Sequence, residues 1–120
     1  MSLETMEPTG EWSGSDDVLD ALGRDGLTYL VWGGDWCGDC QEQLPTFAAA
    51  LDAAGVPDDR IETFALDEDK QGEGVEAYDI EFIPTVVVER DGEEIARFVE
   101  AEPEGIAAYL ADRIAAETPA

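Results

Sequence analysis

The spacing of apolar and polar positions changes several times along this 120-residue chain, and each change marks an element. Residues 1–14 are polar and broken by Pro8, Gly10 and Gly14, which predicts a loose arm or a weak edge strand. Ser15 is placed to cap a short helix with Asp16 and Asp17 in its first turn. Val18, Leu19 and Leu22 form its apolar side, and it ends near Gly23. Leu27–Trp32 is a continuous apolar, β-rich run, the pattern of a central strand buried on both faces. After a Gly-Gly-Asp-Trp-Cys turn, helical spacing resumes from about Gly38 to Ala54, with Leu44, Phe47, Ala48 and Leu51 as the buried stripe. Gly55-Val56-Pro57 ends that helix, and Pro45 inside it removes the bond to the Gln41 carbonyl, predicting a kink.

The second half reads in the same way. Ile61–Leu66 is a strand, and Asp69–Tyr78 reads as a short, Gly-interrupted helix. Thr85–Arg90 and Glu94–Val99 are strands joined through Asp91-Gly92, residues that tolerate the positive φ of a tight hairpin turn. Pro103 and Glu104 open a last helix to about Ala116, with Ile106, Tyr109, Leu110, Arg113 and Ile114 at helical spacing. Strands linked through helices pair in parallel, and strands linked by a hairpin pair antiparallel. The sheet is therefore expected to be mixed, in one α/β domain over residues 15–117.

Charge narrows the range of partners. Thirty Asp and Glu stand against six Lys and Arg, a formal net charge of −24. Such a coat repels phosphates and anionic headgroups, so neither nucleic acid nor a membrane surface is an expected partner. The carboxylates run through the whole chain, and the only lysine is Lys70, a composition that resembles proteins of halophiles with molar salt in the cytoplasm. The N-terminus has neither a basic region nor an apolar core of a signal peptide, and the expected location is cytoplasmic.

Two cysteines, Cys37 and Cys40, carry the candidate chemistry. At a strand–helix junction Cys37 lies at the helix N-terminus, where unpaired N–H groups and the helix dipole favour a thiolate. A spacing of three brings Cys40 onto the same face, within reach of a disulfide. Gly38 leaves the approach open, and Trp36 supplies an apolar wall. Cys37 would attack a substrate disulfide as nucleophile, and Cys40 would resolve the mixed disulfide. Inert buried thiols are one competing reading. Half of a zinc site is another, although zinc takes four N or S ligands and the chain has no His and no further Cys. A dimer sharing two pairs, or carboxylates completing the shell, would be needed. No metal or other cofactor is expected beyond a redox-active Cys37–Cys40 disulfide.

Four features, in order and spacing, make residues 29–114 resemble the thioredoxin family. They are Trp36-Cys37-Gly38-Asp39-Cys40, Pro45, Tyr78-Asp79-Ile80-Glu81-Phe82-Ile83-Pro84-Thr85, and Asp91-Gly92-Glu93. The resemblance implies a central mixed sheet flanked by helices and reduction of protein disulfides. It also implies a cis Ile83–Pro84 bond, with Pro84 against the sulfurs and the Ile83 backbone pairing with an extended substrate chain. A disulfide reductase or a small thiol would supply electrons, and a monomer is expected.

Four positions depart from the family pattern. Its buried aspartate aligns with Val31, and that aspartate's lysine partner with Thr63. Asp39 replaces a proline in the active-site sequence and, by like-charge repulsion, should raise the Cys37 pKa. Asp39 or a water is then the candidate proton acceptor for Cys40, although a first-turn carboxylate is also favoured by the helix dipole alone. Glu100 replaces a small glycine, and with Asp35, Asp39 and Glu81 it predicts an acidic rim suited to basic or apolar substrate surfaces. Two narrower readings accompany general disulfide reduction. One is a dedicated reductant of a single partner, such as a peroxidase; the other is a non-catalytic redox-sensing binding module.

Overall fold

A computed structural model of the chain describes residues 16–24, 26–34, 38–66, 72, 74–90, 92–99 and 106–117. Asp39, Cys40, Gln41, Asp58 and residues 115–117 are described in their backbone alone. The arm over 1–14, the Ser15 cap, Trp36, Cys37, Asp91, Glu100 and the Pro103–Glu104 helix start lie outside the described residues.

The apolar run forms β1 (Leu27–Gly33), which lies between β2 (Ile61–Ala65) and β3 (Thr85–Arg90), with β4 (Glu93–Val99) outside β3. β1 and β2 are parallel, joined through α2 (Gly38–Ala53), while β1–β3 and β3–β4 are antiparallel. The sheet is mixed, as the connections require. Arg90 pairs with Glu93, and Gly92 between them takes φ +85°. The β4 register skips Ile95 between the pairs Val88–Ala96 and Glu89–Glu94, a bulge that the residue pattern did not announce.

Cross-strand partners share a face of the sheet. Tyr29 and Val31 of β1, Val86 and Val88 of β3, and Ala96 and Phe98 of β4 line one face, all buried. Helices cover it. Tyr29 meets Phe47 of α2 edge-on at 6.1 Å, and Phe98 meets Tyr109 of α3 (Ile106–Glu117) at 5.6 Å. The Tyr29 hydroxyl donates to the Leu22 carbonyl at the end of α1 (Asp16–Leu22), 2.6 Å away. α1 and α3 pack on each other, and α3 buries Ile106, Leu110 and Ile114 from its expected stripe. In α2 burial extends past Leu44, Phe47, Ala48 and Leu51 to Ala49 and Ala50, which explains the run of small residues.

Leu30, Trp32, Phe64, Thr85 and Val87 belong to the opposite face. Trp32 is fully buried; it stacks on Phe64 at 4.7 Å with 14° between planes and meets Tyr78 at 5.0 Å. The chain around Gly74–Ile80 therefore covers this face. The helix expected over Asp69–Tyr78 does not form in its described part: Gly74–Asp79 is a series of turns. Tyr78 N–H bonds to the Gly74 carbonyl in helical fashion, but Val75 and Asp79 bond three residues back and Ile80 five back. Positive φ at Gly74 (83°) and Asp79 (53°) closes off both ends. Gly74 is needed there, because a Cβ would stand 3.0 Å from Trp32 Cζ2. A 3₁₀ turn at Asp58–Arg60, which leads from Pro57 into β2, was also not legible in the residue pattern.

Candidate active site

β1 ends at Gly33, four positions before Cys37, and α2 opens at Gly38, the next residue after that cysteine. The helix begins where the sequence expects it, with Gly38 exposed and the Cys40 backbone in the first turn. Trp36 and Cys37, and the side chains of Asp39 and Cys40, lie outside the described residues. Pro45 lies inside α2, half-buried, and has no N–H to give to Gln41.

The other expected contributors come from the chain that enters β3. Trp32 is the register partner of Thr85, so the antiparallel ladder sets Pro84 level with Gly33, at the end of β1 that leads to the cysteines. The Ile83–Pro84 bond is cis, and both residues are buried. The Thr85 hydroxyl donates to the Phe82 carbonyl and fastens this turn. Phe82 and Val99, 44% and 38% exposed, are the exposed large apolar side chains among the described residues. Val99 pairs with Thr85, so both flank the same end of the sheet. Glu81 beside them is exposed.

Val31 and Thr63 are direct register partners, and Val31 is fully buried on the helical face. Neither side chain ionises, so this pair of positions brings no charge to the sheet.

Tyr78, Glu89, Glu94 and Arg97 form a polar cluster that residue patterns did not single out. The Tyr78 hydroxyl donates to Glu89 Oε2 at 2.8 Å, and Arg97 Nη1 donates to the Tyr78 carbonyl at 2.8 Å. The Tyr78 hydroxyl is pushed above the usual phenol value, first by its hydrogen bond to Glu89. The Arg97 fork holds the Glu94 carboxyl below its ordinary value, and the same bond raises Arg97. Arg97 stands in a strand between Ala96 and Phe98 in a chain with few cations, the one sequence signal that could have drawn attention to it. Among the described residues, no group of three or more His, Cys, Asp or Glu is arranged to hold a metal ion, and no helix is long and apolar enough to cross a membrane.

The family model for thioredoxin matches residues 24–112. A thioredoxin of Chlamydia pneumoniae is 31% identical over 85 residues, 71% of this chain and 79% of that protein. A solved thioredoxin of Fasciola hepatica superposes with a TM-score of 0.57 at 24% identity, covering 83% of this chain and 88% of its own. A solved thioredoxin variant of Halobacterium salinarum NRC-1 has a TM-score of 0.54 at 23% identity, covering 100% and 98%. With the mixed sheet and flanking helices of the described residues, the family match and the curated relative support one conclusion: the chain belongs to the thioredoxin family and is a thiol–disulfide oxidoreductase.

Proposed function

We propose that this protein reduces disulfides of protein substrates through Cys37 as nucleophile and Cys40 as resolving thiol. The observation that carries this reading is the start of α2 at Gly38, directly after Cys37 and with Cys40 in its first turn. First-turn N–H groups have no partner within a helix and favour an anion at that point, so a thiolate at position 37 would be stabilised. The thiolate attacks one sulfur of the substrate disulfide, and the other leaves as a thiolate. Cys40 then attacks the Cys37 sulfur, releasing the second substrate thiol and leaving a Cys37–Cys40 disulfide that has given up two electrons.

The Ile83 backbone, with Pro84 beside it, is the proposed docking surface for an extended substrate chain; the Trp32–Thr85 register, which puts Pro84 level with Gly33 at the end of the strand that leads to the cysteines, supports this. Phe82 and Val99 add exposed apolar surface at the same end, which favours an apolar substrate segment. Trp36, Gly38 and Asp39 are assigned supporting roles on sequence grounds. With Val31 and Thr63 bringing no charge, Asp39 or water is the proposed proton acceptor for Cys40. A disulfide reductase or a low-molecular-weight thiol would re-reduce the pair. Cytoplasmic location, a monomeric state, the absence of a further cofactor, and a high-salt milieu complete the proposal, the last resting on the −24 charge.

Reduction of insulin disulfides by dithiothreitol, with and without the protein in molar KCl, tests the reading. Catalytic acceleration that is lost in Cys37→Ser is expected. No acceleration over the thiol alone would contradict it.

A further inference from the structure

Tyr78 is tied to the sheet from three directions. Its ring lies 5.0 Å from Trp32, its hydroxyl donates to Glu89 on β3, and its carbonyl accepts from Arg97 on β4. Arg97 is itself aimed by Glu94. Nε donates to Oε2 at 3.0 Å and Nη2 to Oε1 at 2.8 Å, a two-point fork that fixes the guanidinium plane. One of six cations in a chain with thirty carboxylates thus serves a backbone carbonyl as well as an ion pair.

The position of that carbonyl in the chain gives the arrangement its consequence. Tyr78 stands five residues before Ile83, and its ring partner Trp32 stands five residues before Cys37. The two segments that must meet the substrate together therefore leave from one fixed point. We propose that Arg97 is a positioning residue for disulfide exchange: through the Tyr78 carbonyl it sets Ile83 and Pro84 relative to the strand that leads to the cysteines. This rests on the reading of Ile83 and Pro84 as the docking surface. A loosened anchor leaves that surface spread over several positions, so an extended substrate chain must order it on docking and binds more weakly, while the exchange step itself is unchanged. Arg97 touches no reacting atom.

The test compares a protein disulfide, which docks along a chain, with a small aromatic disulfide, which has no chain to dock. In Arg97→Met, KM for the protein substrate should rise about five- to tenfold, with kcat and the small-disulfide rate within about twofold of wild type. Arg97→Lys should recover part of the KM, because an ammonium still reaches a carbonyl but cannot fork a carboxylate. An unmoved KM in Arg97→Met, or equal losses with both substrates, would overturn the proposal. Pro84→Ala separates it from the reading beneath. If KM rises in Pro84→Ala but not in Arg97→Met, the anchor alone fails; if neither moves, the docking surface fails with it. Should Arg97→Met not fold, Glu94→Gln keeps the guanidinium but removes its aiming charge. A KM rise of about two- to threefold is then expected, and an unchanged KM overturns the anchor.

Discussion

Tyr29→Phe removes one oxygen from the centre of the fold. In the native protein that hydroxyl donates to the Leu22 carbonyl across 2.6 Å, and the carbonyl belongs to the last turn of α1, beyond the reach of any donor in its own helix. Both residues are fully buried. The bond is worth about 0.5–1.5 kcal/mol net, and leaving the buried carbonyl unpaired costs about 1–3 kcal/mol, so a loss of about 2 kcal/mol is expected at neutral pH. For a chain of this length that is about 8 °C in melting temperature. A second signature comes with alkaline pH. Burial raises the Tyr29 pKa above the unfolded value of about 10, so the folded state keeps a proton that the unfolded chain releases. The raised group stabilises fully below about pH 10, and the contribution is lost as pH climbs toward the folded value, at up to about 1.4 kcal/mol per pH unit. Tyr29→Phe has no such alkaline limb, while Tyr78 and Arg97 titrate alike in both proteins. Urea unfolding at pH 7 and pH 11 should therefore show the gap of about 2 kcal/mol shrinking to below about 1 kcal/mol. A gap of the same size at both pH values would contradict a raised Tyr29 pKa, and a variant as stable as wild type at pH 7 would remove the hydrogen bond's contribution.

Gly74→Ala and Gly92→Ala share a positive φ but differ in surroundings. The new Cβ at position 74 stands 3.0 Å from Trp32, and at position 92 it meets nothing within 4 Å. The first should cost about 2–4 kcal/mol and the second about 1–2 kcal/mol; equal losses on denaturant unfolding would contradict the packing described for Trp32. Glu94→Gln should cost only about 0.5 kcal/mol, because its ion pair with Arg97 is half-exposed. The Glu94 contribution is present above the ordinary glutamate value of about 4.3 and is lost as pH falls through its lowered folded value, so wild type and variant should converge in acid; a gap that widens there would count against the pair. Screening of the −24 charge should raise the melting midpoint between 0.1 M and 3 M KCl, and equal midpoints would remove the high-salt proposal.

Much of the architecture was legible because local chemistry and global packing agree. Leu27–Trp32 has the length and β-rich composition of a strand with cover on both faces, and it lies between β2 and β3. Asp91-Gly92 specifies a two-residue turn, and Arg90 pairs with Glu93 across it. The stripe Ile106, Leu110 and Ile114 finds α3 because one helical face is apolar. The segment after β2 was misread because its form is imposed from outside. Gly74 is read from the sequence as a helix breaker of modest cost, but its part is to accept the Trp32 ring. Neither the indole nor the two bonds at Tyr78 can be inferred from neighbours in sequence, since Glu89 and Arg97 lie 11 and 19 residues away. The site divides in the same manner. A strand–helix junction at Cys37 follows from local spacing, whereas the level of Pro84 beside Gly33 depends on register, and only the family resemblance pointed to it. The Arg97 anchor carried no recognisable motif at all.

The proposed roles are attack by Cys37 and resolution by Cys40. Mass spectrometry of Cys40→Ser after exposure to an oxidised protein substrate addresses them most directly. A covalent adduct should accumulate, map to Cys37, and disappear on addition of dithiothreitol, while Cys37→Ser under the same conditions forms none. Adducts in Cys37→Ser, or turnover by Cys40→Ser at the wild-type rate without a trapped species, would contradict the account.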